Sequence, residues 1–425
     1  MKFLFFAFFL ILFVNASSQS GTELKKRFDT YLNFNGSLNS LVSINANSVV
    51  ILNAGKPEFT AFTDEQAVLS LLLKKLKPTE FLTLYKWKKN THLSQKQLDS
   101  LKSTVKDITI SSSQLISLKG KKIAIDPGHF AGNMEVAKIE QKFIEFIPSP
   151  LNTLKDTIRF NEGFLTFQTA EILKQRLLEQ GANVMVTRQK QNLTSFQITY
   201  DDWLVKRKKT VLDSLLKENA IDAKRHTKLM GLKKEKLFWE FFRDYELMER
   251  ARIINEFKPD ITVIIHYNVD EKNTDWLNPV KKNFTMTFIG GGMTGDNFSK
   301  PINKVHFLRL LLTDQLNESE KLASLTVNQF STQMGIAVAQ KNDADYLRDN
   351  CLKANSNGVF CRNLALCRTI NSPLVYGECL YQDNLNECLQ LNKTDYEIYG
   401  QKTSKRIYEA AACYYNAINE YFSKP

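Results

Sequence analysis

IAIDPGHFAGN, residues Ile123 to Asn133, is the stretch on which the reading of the fold turns. Lys122 to Asp126 reads as a short apolar strand. Pro127 and Gly128 then break it, because neither residue extends a central strand, and His129 is left at its end. His129 is therefore either a metal ligand at the mouth of a sheet or a loop residue after an ordinary turn. The surrounding sequence decides between the two.

Outward from this point the chain alternates helices with short continuous apolar strands. NEGFLTFQTAEILKQRLLEQGANVMVTR (161–188) reads as a helix stopped by Gly181 and a strand over Asn183–Thr187. ELMERARIINEFKPDITVIIHYN (246–268) reads as a helix, a proline turn and a buried strand over Ile261–Ile265 that ends at His266. NSPLVYGECLYQDN (371–384) is a short strand ending at Glu378, and SKRIYEAAACYYNAINEYF (404–422) is an amphipathic closing helix. This alternation predicts an α/β fold: a mostly parallel or mixed twisted sheet flanked by helices on both faces. Three long stretches, at about 136–159, 189–244 and 269–370, interrupt the pattern and are expected as insertions. The second is rich in Lys, Arg and Glu at helical spacing and is expected to form one or two exposed helices.

Residues 17–117 are expected to form a small α+β N-terminal domain ahead of a catalytic domain over 118–425. SLVSINANSVVILNAG (40–55) alternates like two strands. TDEQAVLSLLLKKL (63–76) has helical spacing with Thr63 or Asp64 as its cap, and SQKQLDSLKSTVKDI (94–108) reads as a second helix. A chain of 425 residues, 43% hydrophobic, is long enough for two such units.

The first residues read as an export signal. One lysine precedes an apolar run from Phe3 to Val14, too short for a comfortable membrane span, and Val14-Asn15-Ala16 fits a small-residue cleavage site. Residues 1–16 are expected to be a signal peptide, with an uncleaved anchor as the alternative. No later stretch reads as a membrane-spanning helix. The mature protein is thus placed outside the cytoplasm, in the periplasm, or else secreted or at the cell surface. The net charge of +12 suits an anionic partner such as a cell-wall polymer, although solvated Lys-rich helices would give the same charge. Nucleic acid is a poor fit for an exported chain. All six cysteines (Cys351, Cys361, Cys367, Cys379, Cys388, Cys413) fall in the last quarter and are expected to pair as disulfides in an oxidising compartment. They contain no Cys-x-x-Cys pair, which argues against a cysteine zinc site.

Five histidines are present. His92, His226 and His306 sit in polar or helical surroundings without a carboxylate pattern. His129 and His266 each follow a buried strand, and ligands of open α/β sheets collect outside the carboxyl ends of the strands. A catalytic zinc centre uses three protein ligands and keeps one position open. Glu162 opens the helix after His129 and is either the third ligand or a first-turn acid favoured by the helix dipole. Glu378, at the end of its strand, is either a general base beside the metal or a glutamate bonded to a neighbouring amide.

Together, IAIDPGH, the 161–188 block, LMERARIINEFKPDITVIIHYN and PLVYGECLYQDNLNE resemble, in order, the blocks of zinc-dependent N-acetylmuramoyl-L-alanine amidases of the amidase type 3 family. The resemblance runs from about Leu118 to the C-terminus. It implies one zinc ion held by His129, Glu162 and His266, with Glu378 catalytic and Asn384 six positions on. Arg250 and Asn255 match the family's helix, with Ile254 replacing an alanine, and Asn268 belongs to the block that carries His266. These four polar residues and Asp126 are expected either to support the ligands or to be structural. The chain departs from the pattern at Phe130, Ala131 and Gly132 after the histidine, at Tyr267, and at Leu380, all positions that touch pocket shape.

The implied activity is hydrolysis of the amide between N-acetylmuramic acid and L-alanine in peptidoglycan. The resemblance also implies a protein activator that displaces an inserted helix. The alternative is a non-catalytic peptidoglycan-binding or regulatory protein on the same scaffold. A zinc peptidase is disfavoured, because neither strand-end histidine carries a His-x-x-Glu ligand pair.

Overall fold

The computed structural model describes residues 20–104, 118–150, 152, 154–274 and 278–423. The expected signal peptide lies outside them, as do the last residues of the predicted 94–108 helix.

The N-terminal part builds a three-stranded antiparallel sheet from Val42–Ile44, Ser48–Asn53 and Lys56–Phe62. Helices Gln66–Lys75, Pro78–Lys88 and Gln95–Ser103 follow. The first of these starts after Glu65 and not at Thr63 or Asp64. Tertiary contacts set that boundary: the buried Glu65 carboxylate accepts from the Leu93 amide at 2.6 Å and lies 2.8 Å from the buried Lys88 ammonium. One apolar core runs from these elements into the rest of the chain.

The large sheet has eight strands: β1 (Lys122–Pro127), β2 (Asn183–Val186), β3 (Ile261–Asn268), β4 (Phe284–Ile289), β5 (Ala337–Val338), β6 (Leu352–Lys353), β7 (Val359–Cys361) and β8 (Leu374–Tyr381). Their order is β6-β7-β4-β8-β3-β1-β2, with β5 beside β4. β2, β1, β3 and β8 are mutually parallel, while β4 runs antiparallel to β8. The sheet is therefore mixed. Both faces are covered, which is why β1 and β3 read as unbroken apolar runs. Alternate residues serve separate cores: Ile123, Ile125, Val263 and Ile265 enter one, and Ala124 and Ile264 the other. On the first side pack α1 (Glu162–Glu179), α3 (Pro301–Leu312), α4 (Gln315–Met334) and α5 (Lys405–Ser423). On the second pack α2 (Arg243–Phe257) and the short helix Ala365–Thr369.

The stretch 269–370 is structural as well as long, since it supplies β4 to β7. Residues 200–237 fold into Tyr200–Lys206, Lys208–Lys217, Ala223–Gly231 and Lys234–Leu237. With the following turn Phe238–Phe242, this helical array packs a third core of its own, and Phe130 is part of it.

The disulfide expectation is not met. All six cysteines are free and buried. Cys351 and Cys367 lie in one core, while Cys361, Cys379, Cys388 and Cys413 lie in the other. Burial pushes the thiols of Cys351, Cys367, Cys388 and Cys413 up to about 12. In such surroundings cysteine packs as a small apolar residue. Clustering along the sequence did not translate into pairing in space.

Candidate metal centre

The carboxyl ends of β1 and β3 lie side by side, with Pro127 opposite Ile265 in register. The Gly128 amide donates to the Ile265 carbonyl at 2.9 Å, which ties the turn to the neighbouring strand. A β-carbon at Gly128 would meet the His266 ring at 2.2 Å, so only glycine leaves room for that imidazole. His129 follows with φ +56, a left-handed conformation uncommon for a residue with a side chain.

Glu162 is the first residue of α1, whose N-cap Asn161 accepts from the Phe164 amide at 2.9 Å. This places its carboxylate between the two imidazoles. Oε1 lies 2.9 Å from His266 Nδ1 and accepts from the Tyr267 amide at 3.1 Å. Oε2 accepts from Gln382 Nε2 at 3.1 Å and lies 3.5 Å from His129 Nε2. His129, Glu162 and His266 each offer a donor atom, and these atoms lie within 4.8 Å of one another. No other group of three such residues occurs among the described residues. Burial alone would raise the Glu162 carboxyl, but His129, Lys142 and His266 outweigh it and hold the group well below the usual carboxylate range.

Two imidazoles and an ionised carboxylate converging on one point fit a three-ligand zinc centre with an open position. Further contacts fix the ligands. Glu140, the last residue of helix Met134–Glu140, approaches His129 Nδ1 at 3.3 Å and accepts from the Ala131 amide at 2.9 Å. That leaves His129 Nε2 facing Glu162. The His266 ring stacks on Tyr376 with centroids 4.4 Å apart and planes 6° off parallel.

Glu378 sits opposite His266 in the β8–β3 register, on the same face of the sheet. Burial raises its carboxyl above the ordinary range, and Oε2 has no hydrogen-bond partner. His129, His266 and Glu378 line one cavity of about 510 Å³, walled on one flank by Phe238, Trp239 and Arg243.

The five remaining residues singled out in the sequence divide by position. The buried Asp126 accepts from the Thr187 hydroxyl and lies 3.4 Å from Arg250. Arg250 also donates to the Pro127 carbonyl at 3.1 Å and to Glu246 at 2.7 Å. This pair braces the turn beneath His129 from below. Asn268 lines the cavity and donates to the Tyr346 hydroxyl at 2.7 Å. Asn255 bonds the Thr369 carbonyl and Asn371 amide, away from the cavity. Asn384 caps helix Leu385–Leu391. His92 and His226 do have carboxylate partners, Asp64 at 3.0 Å and Asp213 at 2.8 Å, which their local sequence did not reveal.

Sequence reading missed Glu140 and Gln382. Glu140 lies in a stretch set aside as an interruption. Gln382 stands in a quoted block, four residues past Glu378, where nothing in the sequence marks it.

A family model described as N-acetylmuramoyl-L-alanine amidase matches residues 123–412. No curated protein matches. Among solved structures, the CwlD amidase of Clostridioides difficile in complex with the GerS lipoprotein is 15% identical, covering 72% of this chain and 99% of that one at a TM-score of 0.35. The catalytic domain of CwlV from Bacillus (Paenibacillus) polymyxa is 14% identical, covering 71% and 98% at 0.36. The apo form of Ami1 from Mycobacterium abscessus is 14% identical, covering 72% and 100% at 0.37.

Proposed function

The chain belongs to the N-acetylmuramoyl-L-alanine amidase family, and on that premise we propose that it hydrolyses the amide between the lactyl group of N-acetylmuramic acid and the L-alanine of the peptidoglycan stem. The observation that carries this reading is the convergence of His129, Glu162 and His266 beside an unpartnered buried Glu378. In it, the first three residues hold a zinc ion. Bound there, zinc supplies Lewis-acid activation of a carbonyl and of a water.

The chain's own groups do the rest. Gln382 and the Tyr267 amide hold the Glu162 carboxylate, and Glu140 holds the ring of His129. Glu378 Oε2 accepts the proton of the attacking water and returns it to the departing alanine nitrogen. A carboxyl raised by burial suits a group that must act first as base and then as acid. Phe130 and Phe238 give one flank of the cavity an apolar lining.

In the same reading the protein is exported and works on the cell wall, as its first residues and basic charge suggest. Among the described residues no helix is long and apolar enough to cross a membrane. A protein activator would act on the helical array, because Phe238 and Trp239 wall the cavity and their displacement would widen its entrance.

The test is zinc-loaded protein on purified peptidoglycan, read as newly exposed L-alanine amino groups. Wild-type protein releases them, and Glu378→Gln lowers the rate roughly 100- to 10,000-fold while still binding zinc. No release by the wild type, or equal rates for both, ends the reading.

A further inference from the structure

The cavity continues past Glu378, across the face of the sheet, to Arg362. Arg362 follows β7 and is half-buried. Its guanidinium lies over two rings, 4.9 Å from the centroid of Tyr346 and 5.3 Å from that of Phe288. Tyr346 is anchored by Asn268, and Phe288 packs against Tyr376, the ring that stacks on His266. The cation is thus held on an aromatic floor that is continuous with the metal ligands. Among the described residues no carboxylate forms an ion pair with it, in contrast to the buried Arg250 and Arg406. Arg250 has Asp126 and Glu246, and Arg406 has Glu387 and Glu409.

Direction follows from the chemistry. The group that protonates the leaving nitrogen must stand beside it, so the departing peptide lies on the Glu378 side of the metal ligands. That side of the sheet runs from β8 to β4 and β7, where Arg362 waits. Glu140, Phe130 and Trp239 line the opposite flank. A planar guanidinium offers paired donors that match a carboxylate, and stacking on rings fixes its orientation at little entropic cost.

We propose that Arg362 is a specificity-determining residue that binds a free carboxylate of the stem peptide beyond the L-alanine. The proposal rests on the amidase reading above. It deepens that reading by assigning the enzyme to acidic stems over carboxamide ones.

The experiment uses two soluble muramoyl tripeptides that differ only in whether the α-carboxyl of the second peptide residue is free or amidated. Zinc-loaded wild type should favour the free carboxylate by roughly 10- to 100-fold in kcat/KM, expressed in KM, as expected for one charge-assisted hydrogen-bonded pair. Arg362→Gln should bring that ratio close to one, and Arg362→Lys should keep part of it. Calorimetric binding of both tripeptides to zinc-loaded Glu378→Gln, with and without Arg362→Gln, gives a readout that needs no turnover. Unchanged preference in Arg362→Gln, or none in the wild type by rate and by binding, overturns the proposal. If neither tripeptide is cleaved yet the acid binds tighter in an Arg362-dependent way, the carboxylate site stands and the amidase reading falls.

Discussion

The imidazole of His266 occupies the space that a side chain at Gly128 would need, since a β-carbon there would lie 2.2 Å from the ring. Gly128 is required for the closeness of two chain segments, and the Pro-Gly break in the sequence is thereby explained by the neighbouring strand. Gly128→Ala should push the ring out of line with Glu162. A displacement of about 1 Å at such a site costs on the order of 100-fold in rate. Metal content and amide hydrolysis measured together check this: both should fall, and the crowding should also cost about 1–3 kcal/mol of stability.

On the amidase reading, Glu140 would act on a bound zinc ion through His129. Glu140→Gln keeps an acceptor for the backbone amides of Phe130 and Ala131 but removes the charge opposite Nδ1. Zinc affinity should fall roughly 10- to 100-fold, the usual cost of losing such an orienting carboxylate. Competition with a calibrated chelator measures it.

Phe130 joins the turn that carries His129 to the helical array. Its ring lies 5.9 Å from Phe242, 6.1 Å from Phe238 and 6.3 Å from Tyr200. Phe130→Ala should remove about 3–5 kcal/mol of packing. Because the array has a core separate from that of the sheet, the loss should appear as faster amide exchange over residues 200–242. The strands β1 and β3 should keep their protection. Equal loosening of both would contradict this separation.

His306 gives the pH dependence of stability. It is buried on α3, and its Nδ1 faces an Arg309 N–H at 3.2 Å, so the ring is held neutral. Burial, then Arg309 and Arg368, hold its pKa well below the ordinary value. The unfolded chain takes up a proton near pH 6.5 that the folded chain refuses. Stability at this site is therefore complete above about pH 6.5 and is lost as pH falls, by about 1.4 kcal/mol per unit. Denaturant unfolding between pH 7 and 5 should show that slope, and His306→Gln should flatten it.

Much of this was legible in the sequence because it is local. β1, α1, β3 and β8 announce themselves by apolar runs and stops, and His129, Glu162, His266 and Glu378 sit at or near their ends. β3 and β8 run on to Asn268 and Tyr381, so His266 and Glu378 lie inside strands and not past them. What escaped depends on distant contacts. β5, β6 and β7 are two or three residues long and exist only by pairing with one another and with β4. Glu140 reaches His129 across a turn, and Gln382 reaches Glu162 across the fold, with no periodicity to mark either. Phe130, read in the sequence as a departure that touches pocket shape, also packs into the core of the helical array.

The central claim is the position of the cut. Mass spectrometry of the products released from purified peptidoglycan by zinc-loaded protein addresses it most directly. The account predicts intact peptides beginning with L-alanine, together with glycan strands whose muramic acids carry free lactyl carboxylates. Peptides cleaved internally, or glycan fragments with their stems still attached, would contradict it.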